Sequence, residues 1–379
     1  MKSHGKVWLT VVFCIFTLAP VVASAQAVAQ EFVYTANFGD GTISGFFVHP
    51  GNGKLTEVPG SPFTAGVGPA PITHSPDGHF LYVALTSQFQ GRPCGINQAE
   101  LLSYSINPHT GALTLLNDVV LPDFCSTAVI TDPSGKFVYV ASIHFDDEKF
   151  GEIDGFESSN GQLTPLPGSP FVSPVQVSAG QNPAIQSLAM TNDGKVVYAS
   201  DPNDAAGILI FDRDTQTGAL AFRSTFNSGS PFGPMAITPS GGFLIAMAPI
   251  FLGNGGGGVF EYAIGDNGDL TPVPGSPFAA PDSGFASALS ISPDGTFVAS
   301  AGSGGVSVQR ETPDGHLSLV PGSPFGGGLP PAITFDTSGS FVYVPGTVFR
   351  IDPKTGALTQ VSNFTTGNAA EGITAVRPL

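Results

Sequence analysis

Short apolar runs, rich in β-branched and aromatic residues, alternate with tight polar turns along most of the chain. Phe80-Leu81-Tyr82-Val83-Ala84 is one such run, and Pro71-Ile72-Thr73-His74-Ser75 precedes it across Pro76-Asp77-Gly78. Residues of this kind predict strands, and an Asp-Gly between two of them predicts a hairpin with a type I′ turn, whose central positions both take positive φ. The turn recurs as Pro133-Ser134-Gly135, Asn192-Asp193-Gly194, Pro239-Ser240-Gly241, Pro293-Asp294-Gly295 and Thr337-Ser338-Gly339. A third strand follows in each unit, from Thr42 to Val48, Leu101 to Ile106, Ile153 to Glu157, Ile208 to Asp212, Val259 to Ile264, Val306 to Gln309 and Val348 to Ile351. A Gly-x-Leu phrase then opens a fourth strand, so each unit is a four-stranded meander.

At the head of a fourth strand the phrase recurs seven times, at Gly53, Gly111, Gly161, Gly218, Gly268, Gly315 and Gly356. A spacing near fifty residues, held over the whole chain, signals a repeat architecture. Five units close with Gly-Ser-Pro-Phe, at Gly60, Gly168, Gly229, Gly275 and Gly322. Proline holds the serine before it extended, and the phenylalanine after it is placed to wedge between neighbouring sheets. The chain begins with a second strand, Phe32-Val33-Tyr34-Thr35-Ala36, and ends with a first strand, Gly372-Ile373-Thr374-Ala375-Val376. Pairing the two would complete a seventh sheet and leave only short, protected edges. The expected fold is all-β: a seven-bladed β-propeller of four-stranded antiparallel blades, its ring closed by N- and C-terminal strands. A six-bladed ring with one degenerate unit and an open solenoid are the alternatives, and the complementary ends argue against the solenoid.

Composition agrees, with 49 Gly, 34 Pro and 30 Phe against one Trp, and only 11% charged residues. The formal net charge of -16, without any basic run, makes nucleic acid and anionic membrane surfaces poor partners. Lys2 and Lys6, an apolar stretch from Val7 to about Val22, and Ala23-Ser24-Ala25 read as an export signal cleaved after Ala25. Residues 1–25 are therefore expected to leave, and residues 26–379 to form one propeller domain, a soluble monomer of the periplasm or cell exterior with no membrane insertion after cleavage. The mature chain keeps Cys94 and Cys125, a disulfide candidate in an oxidising compartment.

The phrase x-Pro-Asp-Gly-x-Phe-x-Tyr-Val-Ala, a strand, then Thr-Gly-x-Leu-Thr resembles the seven-bladed lactonase family, whose best-known members are 6-phosphogluconolactonases, over about residues 31 to 379. Phe32-Val33-Tyr34-Thr35-Ala36-Asn37 is also similar to surface propellers named for a Tyr-Val-Thr-Asn motif. The resemblance implies hydrolysis of a small lactone or sugar-acid derivative at the mouth of the central channel. Family enzymes tend to carry Gly-Pro-Arg-His there, and the matching stretch here is Gly68-Pro69-Ala70-Pro71, so the Arg and His positions hold Ala70 and Pro71.

Propeller topology puts the Pro-Asp-Gly hairpins on one face and the loops between second and third strands on the other, which in this family is the usual ligand face. His144 is the mature histidine expected there, followed by Asp146, Asp147 and Glu148; Asp201 and Asp204 lie on the equivalent loop of the next unit. Imidazole and carboxylate oxygens so gathered would hold a divalent cation that polarises a lactone carbonyl or activates water, or else form a solvated acidic rim. Arg92, in the loop Gln90-Gly91-Arg92-Pro93-Cys94, would hold a substrate carboxylate or be a solvated loop residue. Two functions follow: a lactonase-like hydrolase, or a non-catalytic propeller binding a cell-envelope component or protein partner.

Overall fold

A computed structural model describes residues 1–2, 30–86, 88–89, 92–93, 99–122, 125–143, 152–175, 185–201, 207–227, 233–248, 258–279, 287–302, 304–328 and 330–379. Gln88, Phe89, Arg92, Pro93, Ile143 and Asp201 are described by backbone alone. The described residues form seven antiparallel meanders, beginning with strands Pro69–His74, Cys125–Thr131, Ser187–Met190, Met235–Ile237, Ala288–Ile291, Thr334–Phe335 and Ala370–Val376. Each of these first strands touches the first strands of two neighbours, and the cycle closes, so the seven sheets surround one axis. We number the blades from the one containing Phe32–Asn37.

Blade 1 is the fastener. Ala370–Val376 pairs with Phe32–Asn37 in the register Phe32 with Val376 and Ala36 with Gly372, with a bulge at Asn37. Thr42–Val48 and Leu55–Glu57 complete its four strands. Glu31 adds to the closure, accepting from Thr337 N–H at 2.6 Å and from Arg377 at 2.7 Å.

The core lies in the seams between blades. Phe32, Tyr34 and Ile43 of blade 1 pack with Leu81, Val83 and Leu102 of blade 2, and like clusters fill the other seams. Burying each such side chain contributes about 1.5–3 kcal/mol. The Gly-Ser-Pro-Phe phenylalanines take the wedge positions expected: Phe63, Phe171, Phe278 and Phe325 each belong to a cluster spanning two blades. The fifth copy lies outside the described residues. In these four the Ser-Pro bond is cis, and the serine Oγ accepts a backbone N–H of its own blade's third strand, from Gly45, Gly155, Glu261 and Val308 at 2.9–3.1 Å.

The Pro-Asp-Gly hairpins differ from the expected type I′ geometry. Gly78 has φ +71°, but Asp77 does not share it. The Ser75 N–H donates to the Phe80 carbonyl at 2.9 Å, leaving a four-residue loop, and the Gly78 N–H donates to the Ser75 carbonyl at 2.8 Å. A loop of that length is built around a type I turn, with the left-handed residue after it. The side chain of the residue before Pro then accepts the Phe80 N–H at 3.0 Å, and Asp132, Thr191, Thr238, Ser292 and Asp336 repeat the contact in their blades.

Candidate functional site

The first strands around the axis carry little chemistry. Among their described residues only His74 and Glu371 titrate, at opposite ends of the channel. Burial lowers the His74 pKa, against hydrogen bonds to the Ser75 and Ala375 backbone, and burial raises that of Glu371. Three hydroxyls near the axis hold blades together. Thr131 donates to the His74 carbonyl at 3.0 Å, Ser287 to the Pro330 carbonyl at 2.6 Å, and Ser187 accepts the Met235 N–H at 3.0 Å. Ala70 and Pro71 occupy Pro69–His74 itself, where Gly372 of blade 1 approaches so closely that a Cβ there would stand 2.1 Å from the Ala70 carbonyl. The positions that carry Arg and His in family enzymes are backbone contacts in this chain.

The seam between blades 2 and 3 is different. On the face opposite the Pro-Asp-Gly hairpins, Thr86 bridges Cys125, and its Oγ1 donates to the Ser126 carbonyl at 2.8 Å. Ser126 stands beside Ser142 across one ladder, and Ser142 beside Glu152 across the next. Asp154 follows Glu152 at the two-residue spacing that keeps side chains on one face of a strand. That face looks towards blade 2, because Val140, the cross-strand partner of Asp154, packs with Tyr82, Ala84 and Leu101. Glu152 is 6% exposed and Asp154 2%, and the hydroxyls of Ser126 and Ser142 have no hydrogen-bond partner among the described residues. Two acids and these two hydroxyls thus form a buried row at the ligand-face end of the seam. Such a row suits a polar ligand, and a carboxylate there can draw a proton from water.

Of the candidate residues expected from sequence, Arg92 and Asp201 are described by backbone. Arg92 lies in a two-residue strand, Arg92–Pro93, paired with Gln88–Phe89 between the second and third strands of blade 2. Asp201 ends Val196–Asp201 in blade 4, opposite Gly207. His144, Asp146, Asp147, Glu148 and Asp204 lie outside the described residues, as does Cys94, the expected partner of Cys125. Cys125 is buried and disulfide-bonded. Among the described residues no group of three or more His, Cys, Asp or Glu side chains is placed to hold a metal ion. Glu152 and Asp154 were missed because a Glu-x-Asp strand reads as a solvated face. The signal that would find Asp154 is the alignment of repeats. At its register the other blades carry Ser44, Leu102, Leu209, Phe260, Ser307 and Thr347, so it alone is ionisable.

The chain matches the profile of the family described as Lactonase, 7-bladed beta-propeller, over residues 34–164 and 259–373. No curated protein matches it. Solved structures share the fold. A putative 6-phosphogluconolactonase of Bacteroides uniformis superposes with TM-score 0.76 at 18% identity, covering 92% of this chain and 100% of its own. The periplasmic gluconolactonase of Pseudomonas aeruginosa gives TM-score 0.76 at 20% identity, over 93% and 100%. A putative 6-phosphogluconolactonase of Bacteroides fragilis gives 0.75 at 18%, over 94% and 100%. Among the described residues no helix is long and apolar enough to cross a membrane.

Proposed function

The chain belongs to the seven-bladed β-propeller lactonase family, and from that premise we propose that it is an exported hydrolase of a small lactone or sugar-acid derivative, acting at the seam of blades 2 and 3 on the ligand face. The observation that carries this reading is the buried row of Ser126, Ser142, Glu152 and Asp154 at the root of the loops bearing Arg92 and His144. In it Glu152 or Asp154 acts as general base towards water, and Arg92 holds the substrate's carboxylate or hydroxyl oxygens. His144, with Asp146, Asp147, Glu148, Asp201 and Asp204, orients the carbonyl directly or through a divalent cation. Ala70 and Pro71 separate this chemistry from that of family members with Arg and His at the channel mouth, so a phosphorylated sugar lactone is not the expected substrate. Export rests on Lys2, Lys6 and the Ala23-Ser24-Ala25 site, and on the periplasmic address of one fold relative.

The test is a lactone panel offered to the mature protein with and without Ca²⁺, Mg²⁺ or Zn²⁺, alongside Glu152→Gln, Asp154→Asn and His144→Ala. Loss of a general base lowers turnover about 10²- to 10⁴-fold. A wild-type protein inert to the whole panel would instead favour the second reading, a monomeric module that binds a cell-envelope component or protein partner through the same face. The small, uncharged channel mouth supports that second reading.

A further inference from the structure

The seam between blades 5 and 6 holds buried oxygens that the proposed activity leaves unused. Where blades 1 and 3 pair Tyr34 with Gly45 and Tyr139 with Gly155, blade 5 pairs Ile245 with Glu261. Val259 packs into the cluster with Val298 and Leu317 of blade 6, so Glu261, two residues on, faces the same way. From blade 6, Arg310 stacks on Phe297 at 4.5 Å and donates to the Lys354 carbonyl of blade 7, which turns its neighbours Gln309 and Glu311 towards blade 5. Gln309 confirms the direction, its Nε2 donating to the Ala279 carbonyl of blade 5 at 2.8 Å.

Glu261 and Glu311 are near enough for their charges to interact, and the described residues offer their unpaired oxygens no donor. Among the described residues, neither carboxylate oxygen of the fully buried Glu261 has a hydrogen-bond partner; Gln309, 3% exposed, leaves its Oε1 unpaired, and the buried Oε2 of Glu311 is unpaired as well. The Gln309 Nε2 bond to Ala279 fixes the amide so that its oxygen turns into the seam. A charged oxygen removed from water needs compensation, and none comes from the described residues. Burial, with Glu311 and Asp314 adding to it, pushes the Glu261 carboxyl up to about 8, and burial pushes Glu311 up to about 7.

We propose that Glu261, Gln309 and Glu311 form a site for a hard divalent cation of the calcium class, clamping blade 5 to blade 6. Two carboxylates balance its charge, and carboxylate and amide oxygens suit its preference for hard ligands. Glu311 also lines a surface hollow of about 290 Å³ with Thr238, Phe243 and Thr296, which gives the ion a way in. Ile245 takes the place that the linking tyrosines Tyr34, Tyr139, Tyr198 and Tyr343 hold in their blades, and a cation would give this seam a link of its own.

Calorimetric titration of the EDTA-stripped full-length protein with CaCl₂, together with thermal melting, tests the site. One calcium per chain is expected, with Tm raised by about 4 °C at a hundredfold excess over Kd. Glu261→Gln and Gln309→Leu should each abolish the binding heat and the shift, and the second variant serves if the first fails to fold. No heat and no shift in the wild type would overturn the proposal, as would a shift that survives both substitutions. A Glu261→Gln protein melting above the wild type while calcium changes neither would also overturn it, because the carboxyls would then share protons.

Discussion

The Tyr34 hydroxyl donates to the carbonyl of Gly111 across the seam between blades 1 and 2, at 2.6 Å. The same glycine lies against Phe32, two residues before that tyrosine. A Cβ on Gly111 would stand 2.5 Å from the Phe32 ring, and its φ of +70° disfavours any other residue. Tyr139 with Gly218, Tyr198 with Gly268 and Tyr343 with Gly53 repeat the contact, at 2.7, 2.7 and 3.3 Å. The most regular phrase in the sequence is therefore the socket for the preceding blade's aromatic strand.

Removing that hydroxyl leaves the buried Gly111 carbonyl without its partner. Tyr34→Phe should destabilise the protein by about 1–3 kcal/mol. Gly111→Ala should cost more, since it meets both the ring and the left-handed backbone. Urea unfolding of the two variants checks the order, and a Gly111→Ala protein as stable as Tyr34→Phe would contradict the socket.

Much of this was legible because it is repeated. The Gly-x-Leu glycines, the third strands and the complementary chain ends all follow from spacing, and closure occurs with the expected register. What was hidden depends on partners distant in sequence. Ser169 reads as part of a stiff linker, yet its Oγ satisfies the Gly155 N–H fourteen residues away at 2.9 Å. Asp77 reads as a left-handed turn residue, yet its carboxylate is used to accept the His79 N–H at 3.0 Å. Glu152 and Asp154 became visible only when Val140 showed which way their strand faces.

Ring closure gives a second expectation. Deleting the last eight residues removes the partner of Phe32 to Ala36, the Arg377 bond to Glu31 and the Leu379 N–H bond to the Asp77 carbonyl. A second strand of blade 1 would become an open apolar edge, which templates association. The truncated protein should melt lower and aggregate on size-exclusion chromatography. A monodisperse product with wild-type Tm would mean that the last strand does not fasten the ring.

The tyrosines between blades also set an alkaline limit. Burial pushes the hydroxyls of Tyr139 and Tyr104 up to about 12, for Tyr139 against the Arg213 Nε bond at 2.6 Å, and burial likewise raises those of Tyr34, Tyr198 and Tyr343. In the unfolded chain a tyrosine titrates near ~10. Between those values the unfolded state has released protons that the folded state retains, so stability falls as pH rises. The contribution is fully present below about pH 10 and is lost through the folded pKa, at up to ~1.4 kcal/mol per pH unit for each tyrosine. Phenolate absorbance and the β-sheet circular dichroism signal, followed together through an alkaline titration, should change in one late, cooperative step. Tyrosines that ionise near ~10 while the sheet signal persists would show that the seams do not protect them.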